Sequence, residues 1–290
     1  MPLKSLLVAL LVPLTWGLGV TFAKAGLEEF PPLLLMGMRF CLVALLIVWF
    51  VPLPRGYFWD IFWISVIGAT IQYGLTFTGL SHIDASLAVI VVQLEVPFGI
   101  LLAALFFGER MGWRRVLGLV LAFGGVAMIA GRPSAIDQLG PILLVISGAF
   151  IWAVAQILVK RLKGAVEGFA LIAWIGVFAG PQMIVASFLI ETGQIEALQN
   201  ATWVGWSTVL YLAVVMTAIG YSIWFHVLAR HPVNRVMPIL LLLPVFSLIG
   251  SVLFLGERPG PIVLLGGLVV VVGVALVIIG PNSTKENGSA

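Results

Sequence analysis

The stretch Leu94–Arg110, LEVPFGILLAALFFGER, recurs at Leu242–Arg258 as LLPVFSLIGSVLFLGER, and this repetition decides the fold. At a shift of 148 the match runs on to Gly131, with 13 identities over 38 positions. Phe98/Phe246, Leu105/Leu253, Phe106/Phe254, Gly118/Gly266 and Gly125/Gly273 are among them, besides Gly108-Glu109-Arg110 against Gly256-Glu257-Arg258. A period of about half the chain means that one structural unit is used twice.

The surroundings of the repeat are apolar. The 290 residues are 61% hydrophobic and 9% charged, with a mean hydropathy of +1.17, whereas soluble domains carry about 25% charged residues. Apolar runs longer than about 18 residues indicate an all-α integral membrane protein. The alternating strands of about 10 residues that a barrel needs are missing from the pattern. One cysteine, Cys41, and three histidines leave no room for a disulfide framework or a Cys/His metal cluster. The net charge of +3 is spread over the ends of apolar segments, which speaks for membrane topology and against nucleic acid.

Ten spans are predicted, over 3–23, 32–52, 58–80, 84–107, 113–131, 138–160, 168–190, 203–228, 233–255 and 261–280. Each is about long enough to cross a hydrocarbon core near 30 Å. Residues 3–131 then form the first repeat, 138–280 the second, and 281–290 a polar tail. The first span is read as a retained helix and not a signal peptide. Its apolar run exceeds the usual 7–15 residues, and its Trp16 and Lys24 recur in span six as Trp152 and Lys160.

With the N-terminus inside, the inner loops and tails hold 11 Lys and Arg and the outer loops 3, with Arg39 inside span two. That bias predicts cytoplasmic termini. Five spans per half is an odd number, so the halves enter the membrane from opposite sides. Inverted repeats of this kind characterise secondary transporters, whose site lies near the midplane between the halves.

Two inverted five-helix halves ending in LFFGER and LFLGER resemble the EamA family of the drug/metabolite transporter superfamily. Trp16-Gly17 with Phe22 and Lys24 is similar to the family's first-helix pattern, and Met38-Arg39-Phe40 to its second-helix pair. Glu95-Val96-Pro97 departs from the family's usual Glu-Pro. The resemblance implies a non-enzymatic carrier of the bacterial inner membrane that moves small organic molecules outward without ATP or a cofactor. It is most similar to the aromatic amino acid exporters of that family. A lipophilic-cation or multidrug exporter with proton coupling at Glu95 is the alternative.

Polar groups in hydrocarbon are costly and therefore candidates for function. Arg39 and Glu95 lie at depths that differ by roughly 6 Å, so an ion pair between spans two and four is expected, with proton coupling at Glu95 as the rival role. Substrate contacts are expected from Trp16, Gln72, Tyr73, Gln93, Trp152, Gln156 and Tyr221. Ser86, Gln93 and Pro97 share a face of span four at helical spacing. Pro97 and Pro244 sit at nearly corresponding depths of repeat mates, and Pro238 adds another break. Interrupted helices in matching positions point to a transport site and its gating. Helix packing is the competing reading for each residue taken singly. Gly118/Gly125 and Gly266/Gly273 make small-residue faces on spans five and ten, for packing within the chain or in a dimer. The partners implied are a small-molecule substrate and the lipid bilayer; a monomer suffices for a pathway.

Overall fold

In lipid, backbone N–H and C=O groups must be satisfied within the chain, and helices do this segment by segment. The computed structural model describes residues 3–107, 112–131, 133–228, 230–231 and 236–279. It is helical throughout, with no strand among the described residues. Ten helices are long and apolar enough to cross a membrane: α1 Leu3–Gly26, α2 Pro32–Phe50, α3 Phe58–Ser81, α4 Ala85–Phe106, α5 Trp113–Ala130, α6 Ile136–Arg161, α7 Gly168–Ile190, α8 Trp203–Val227, α9 Met237–Phe254 and α10 Pro261–Ile278. The first Gly-Glu-Arg, residues 108–110, and the tail 281–290 lie outside the described residues.

The pairings follow the inverted repeat. Repeat mates α2 and α7 pack on each other, as do α5 and α10. The contacts of α1 with α9 and α8 are mirrored by those of α6 with α4 and α3. The α5–α10 seam depends on its glycines. A Cβ at Gly118 would lie 2.6 Å from the Gly273 carbonyl, and one at Gly125 2.8 Å from that of Gly266. These faces are therefore packed on each other within the chain, one of the two uses expected of them.

Irregular stretches recur in two pairs of mates. α3 is π-helical over Val66–Ile71 and α8 over Tyr211–Ile219. α4 breaks between its segments Ala85–Val92 and Glu95–Phe107. α9 opens as a tight 3-10 turn over Met237–Leu242 and becomes α-helical at Leu243. Pro97 lies in the first turn after the α4 break, Pro244 in the first turn of the α-helical part of α9, and Pro238 at the head of its 3-10 turn. A proline donates no N–H and fits a first turn better than a helix interior.

The core is uneven along the membrane normal. Its largest cluster, with Phe30, Leu35, Leu80, Leu87, Ile129 and Ile142, fills the half of the bundle away from the termini. Towards the termini it splits into four separate contacts, around Val12/Trp224, Val43/Ala173, Ile61/Leu171 and Leu102/Ile157. The buried core is thus continuous at the far end and divided at the end nearer the termini.

Candidate functional site

A guanidinium in hydrocarbon needs partners, and the sequence of α8 supplies them through its irregular stretch. Within the π-helical segment Thr217 donates its hydroxyl to the Leu212 carbonyl at 2.7 Å. Its lone pairs are left for Arg39, whose Nε and Nη2 donate to Oγ1 at 3.1 and 3.0 Å. The cation sits 5.3 Å from the Phe40 ring centre and 5.2 Å from that of Tyr73. Two ring faces offset part of the charge, at about 0.5–2 kcal/mol each when desolvated. Arg39 is 1% exposed.

The expected Arg39–Glu95 ion pair is not formed. Arg39 turns to α8, and Glu95 has no hydrogen-bond or ionic partner among the described residues. A depth difference within reach of a side chain fixed only the axial coordinate of the two groups and left their rotation about each helix free. Glu95 is only partly covered and opens the second segment of α4, where the positive end of the helix dipole favours a carboxylate. The shared face of Ser86, Gln93 and Pro97 also fails. The break at Gln93 and Leu94 interrupts the helical phase, so Ser86 and Pro97 are buried while Gln93 is partly exposed.

Aromatic groups converge next to these charges. Trp16 of α1 lies 4.9 Å from the Tyr221 ring and 5.9 Å from Trp224 of α8. Its indole N–H donates to the Met216 carbonyl at 3.0 Å, a backbone group on the π-helical stretch. Phe40 and Tyr73 meet edge to face at 5.2 Å. Tyr221 is within electrostatic reach of Tyr73, Arg39 and Glu95 together. The structure therefore brings Trp16, Tyr73, Tyr221, Arg39 and Glu95 into one region at the centre of the bundle.

Trp152 and Gln156 share one face of α6, nearer the termini. On α6 the residues of their face nearer the far end, Ile142, Val145 and Ala149, are 1%, 0% and 0% exposed. Gln156 continues the same face, one or two turns nearer the termini, and is exposed; Trp152 is partly so. Gln156 is thus the polar residue at which this buried face of α6 becomes exposed, on the side nearer the termini.

Gln72 does not join the group. It is 4% exposed and donates to Thr76 Oγ1 at 3.0 Å, leaving its Oε1 without a partner. Its face is pressed against α6, where a Cβ at Gly148 would collide with Thr76 Oγ1. An orphaned buried acceptor costs about 1–3 kcal/mol. Gln72→Met should therefore leave transport intact and stability unchanged or raised, measured by thermal unfolding in detergent beside uptake. Folded but inactive protein would return Gln72 to the substrate contacts.

Sequence reasoning missed Thr217, and with it a second clasp built the same way. Gln182 of α7 bridges the π-helical stretch of α3, accepting from Thr70 Oγ1 at 2.7 Å and donating to Ser65 Oγ at 3.0 Å. A threonine in an apolar helix looks neutral in sequence. Only the doubled occurrence in mates α3 and α8 was a signal, and the π-helical geometry that gives it meaning has no motif.

Ten membrane-length helices in two inverted halves, with a polar and aromatic centre between them, define a transporter and not an enzyme. The chain belongs to the EamA-like transporter family, whose model matches residues 3–131 and 139–279. It is 31% identical to a probable amino-acid metabolite efflux pump of Escherichia coli (strain K12), over 96% of this chain and 95% of that protein. It is 28% identical to a probable terminal-alkyne amino-acid exporter of Streptantibioticus cattleyicolor, over 69% of this chain and 66% of that protein. A crystal structure that covers 94% of this chain and 96% of its own superposes with a TM-score of 0.66 at 19% identity, a likeness of fold.

Proposed function

We propose that the protein exports small amphipathic metabolites, in the first place aromatic and other neutral amino acids, by alternating access. In this reading it lies in the bacterial inner membrane with both termini in the cytoplasm. The divided part of the core then lies on the cytoplasmic side. The observation that carries the reading is the cluster of Trp16, Tyr73 and Tyr221 beside Glu95 and Arg39. Ring faces suit an aromatic or apolar side chain by stacking and burial. The unpaired Glu95 suits an ammonium group, and the amino-acid transport named for the relatives supports the same substrate class. Rocking about the breaks beside Pro97, Pro238 and Pro244 would expose the cluster to the other side.

The unpaired Glu95 also favours a second reading, proton-coupled export of lipophilic cations. One experiment separates the two: uptake into proteoliposomes of tryptophan, phenylalanine, threonine, methionine and a lipophilic cation, with and without a pH gradient. Saturable amino acid uptake without a gradient is expected, with Glu95→Gln weakening binding but not altering pH dependence. Gradient-dependent cation movement with amino acids excluded, lost in Glu95→Gln, would establish the rival.

A further inference from the structure

At the end away from the termini, three carboxylates each cross from one half of the chain to cap a helix N-terminus of the other. Glu257 follows Gly256, which ends α9 in the left-handed region at φ +67°. The Leu255 and Glu257 amides both donate to the Ser251 carbonyl at 3.1 Å, and this turn aims the carboxylate across the interface. There it accepts from the Ala85 and Ser86 amides at 2.6 and 3.0 Å, the open first turn of α4. Glu29, after α1, accepts from the amide and hydroxyl of Thr202 at 2.7 and 2.6 Å. Thr202 itself caps α8 by accepting from the Val204 amide at 3.1 Å. Glu191, at the end of α7, accepts from the Leu33 amide at 2.9 Å. Pro31 and Pro32 carry no N–H, so Leu33 presents the first donor of α2.

Two features make these contacts more than surface decoration. First, a charged acceptor on helix N–H groups is among the stronger hydrogen bonds, and the helix dipole adds to it. Secondly, all three join opposite halves and none joins two helices of the same half. Lys24 shows the contrast. It donates to the Leu80 and Ser81 carbonyls at 3.0 and 2.9 Å, at the end of α3 in its own half. A concavity of about 610 Å³ over the same end is walled in part by Glu29 and Thr202, so the Glu29 contact stands between that space and the buried core below.

We propose that Glu29, Glu191 and Glu257 form an electrostatic latch that holds the far end shut, and that opening this end requires their release from the facing helix N-termini. The second Gly-Glu-Arg of the repeat thereby has a mechanical role: its glycine ends the helix and its glutamate locks the opposite half. The proposal rests on the alternating-access reading.

The test uses the full chain in proteoliposomes, with Cys41→Ser as background and one new cysteine in each of two reporters. Ala88→Cys reports on the core of the far half, where Ala88 is 1% exposed; Gln156→Cys reports on the end nearer the termini, where Gln156 is exposed. Labelling by a membrane-impermeant maleimide is followed from each side. Glu257→Gln, and Glu29→Gln with Glu257→Gln, are expected to raise the rate at Ala88→Cys from the far side at least about tenfold and to lower that at Gln156→Cys. Gly205→Ala provides an independent perturbation, because its Cβ would come 2.5 Å from Glu29 Oε2 and push the carboxylate off its cap. It should act in the same direction without removing a charge. Unchanged Ala88→Cys labelling in folded Glu257→Gln and Gly205→Ala proteins overturns the latch. Increased Ala88→Cys labelling with Gln156→Cys unaffected would keep the latch and refute alternating access, so the two ideas fail separately.

Discussion

Gly273→Leu is expected to prevent the protein from accumulating in folded form. A Cβ at this position would lie 2.5 Å from the Ala122 amide nitrogen and 2.6 Å from the Gly118 carbonyl, both backbone atoms. A crowded side chain can change rotamer, and overpacking of a yielding core costs about 1–3 kcal/mol. Two backbones in contact have no such escape, and the helices would have to separate along the seam. With net stabilities of about 5–15 kcal/mol, and with dispersion the main attraction between helices in lipid, that loss is a large share of the total. Gly124→Leu is the control. It sits on α5, the other helix of the seam, with nothing within 4 Å of its would-be Cβ, and it should behave as wild type. Fluorescence-detected size exclusion of the two variants decides the matter; a monodisperse, thermally normal Gly273→Leu protein would show the seam to be loose.

The second large effect belongs to Thr217. Thr217→Val keeps the shape but removes the oxygen that receives two N–H groups of Arg39. The guanidinium is left buried with ring faces and the Met36 sulfur, 3.8 Å away, as its neighbours. Breaking one side of such a charged contact costs about 2–5 kcal/mol, because the other partner stays desolvated. A clear drop in melting temperature in detergent is expected, together with loss of uptake, while Thr217→Ser retains both. Arg39→Met with Thr217→Val should regain much of the stability, since an apolar pair leaves nothing unpaired. Equal melting temperatures for Thr217→Val and wild type would mean that Arg39 is held by its aromatic neighbours alone.

The helices and their inverted repetition were legible because lipid leaves the backbone few alternatives and the repeat is written twice. Span ends agree to within a few residues where they are described, as at the end of α1, predicted at 23 and observed at Gly26; the predicted start of span nine, at 233, lies outside the described residues. The Arg39–Glu95 error has a specific cause. Sequence spacing gives depth along a helix well, but rotation only as long as the helix is regular, and α4 and α8 are irregular beside these two residues. Trp16 and Tyr221 were singled out one by one, whereas their 4.9 Å approach depends on how α1 lies on α8. Glu257 was prominent from the outset as part of the repeat, yet its partners Ala85 and Ser86 are more than 170 residues away, and they offer backbone amides that no motif records.

The α5–α10 seam also bears on how such a chain can arise. Gly118 touches Gly273 and Gly125 touches Gly266, while in the repeat Gly118 is the counterpart of Gly266 and Gly125 that of Gly273. Each contact is thus the other read from the opposite half, the signature of an isologous interface on a two-fold axis. A single five-helix protein inserted in both orientations would already possess this antiparallel surface and would pair with itself through it. Gene duplication and fusion then need only tether two such copies, with no new interface to invent. The two halves expressed as separate polypeptides should accordingly find each other in the membrane.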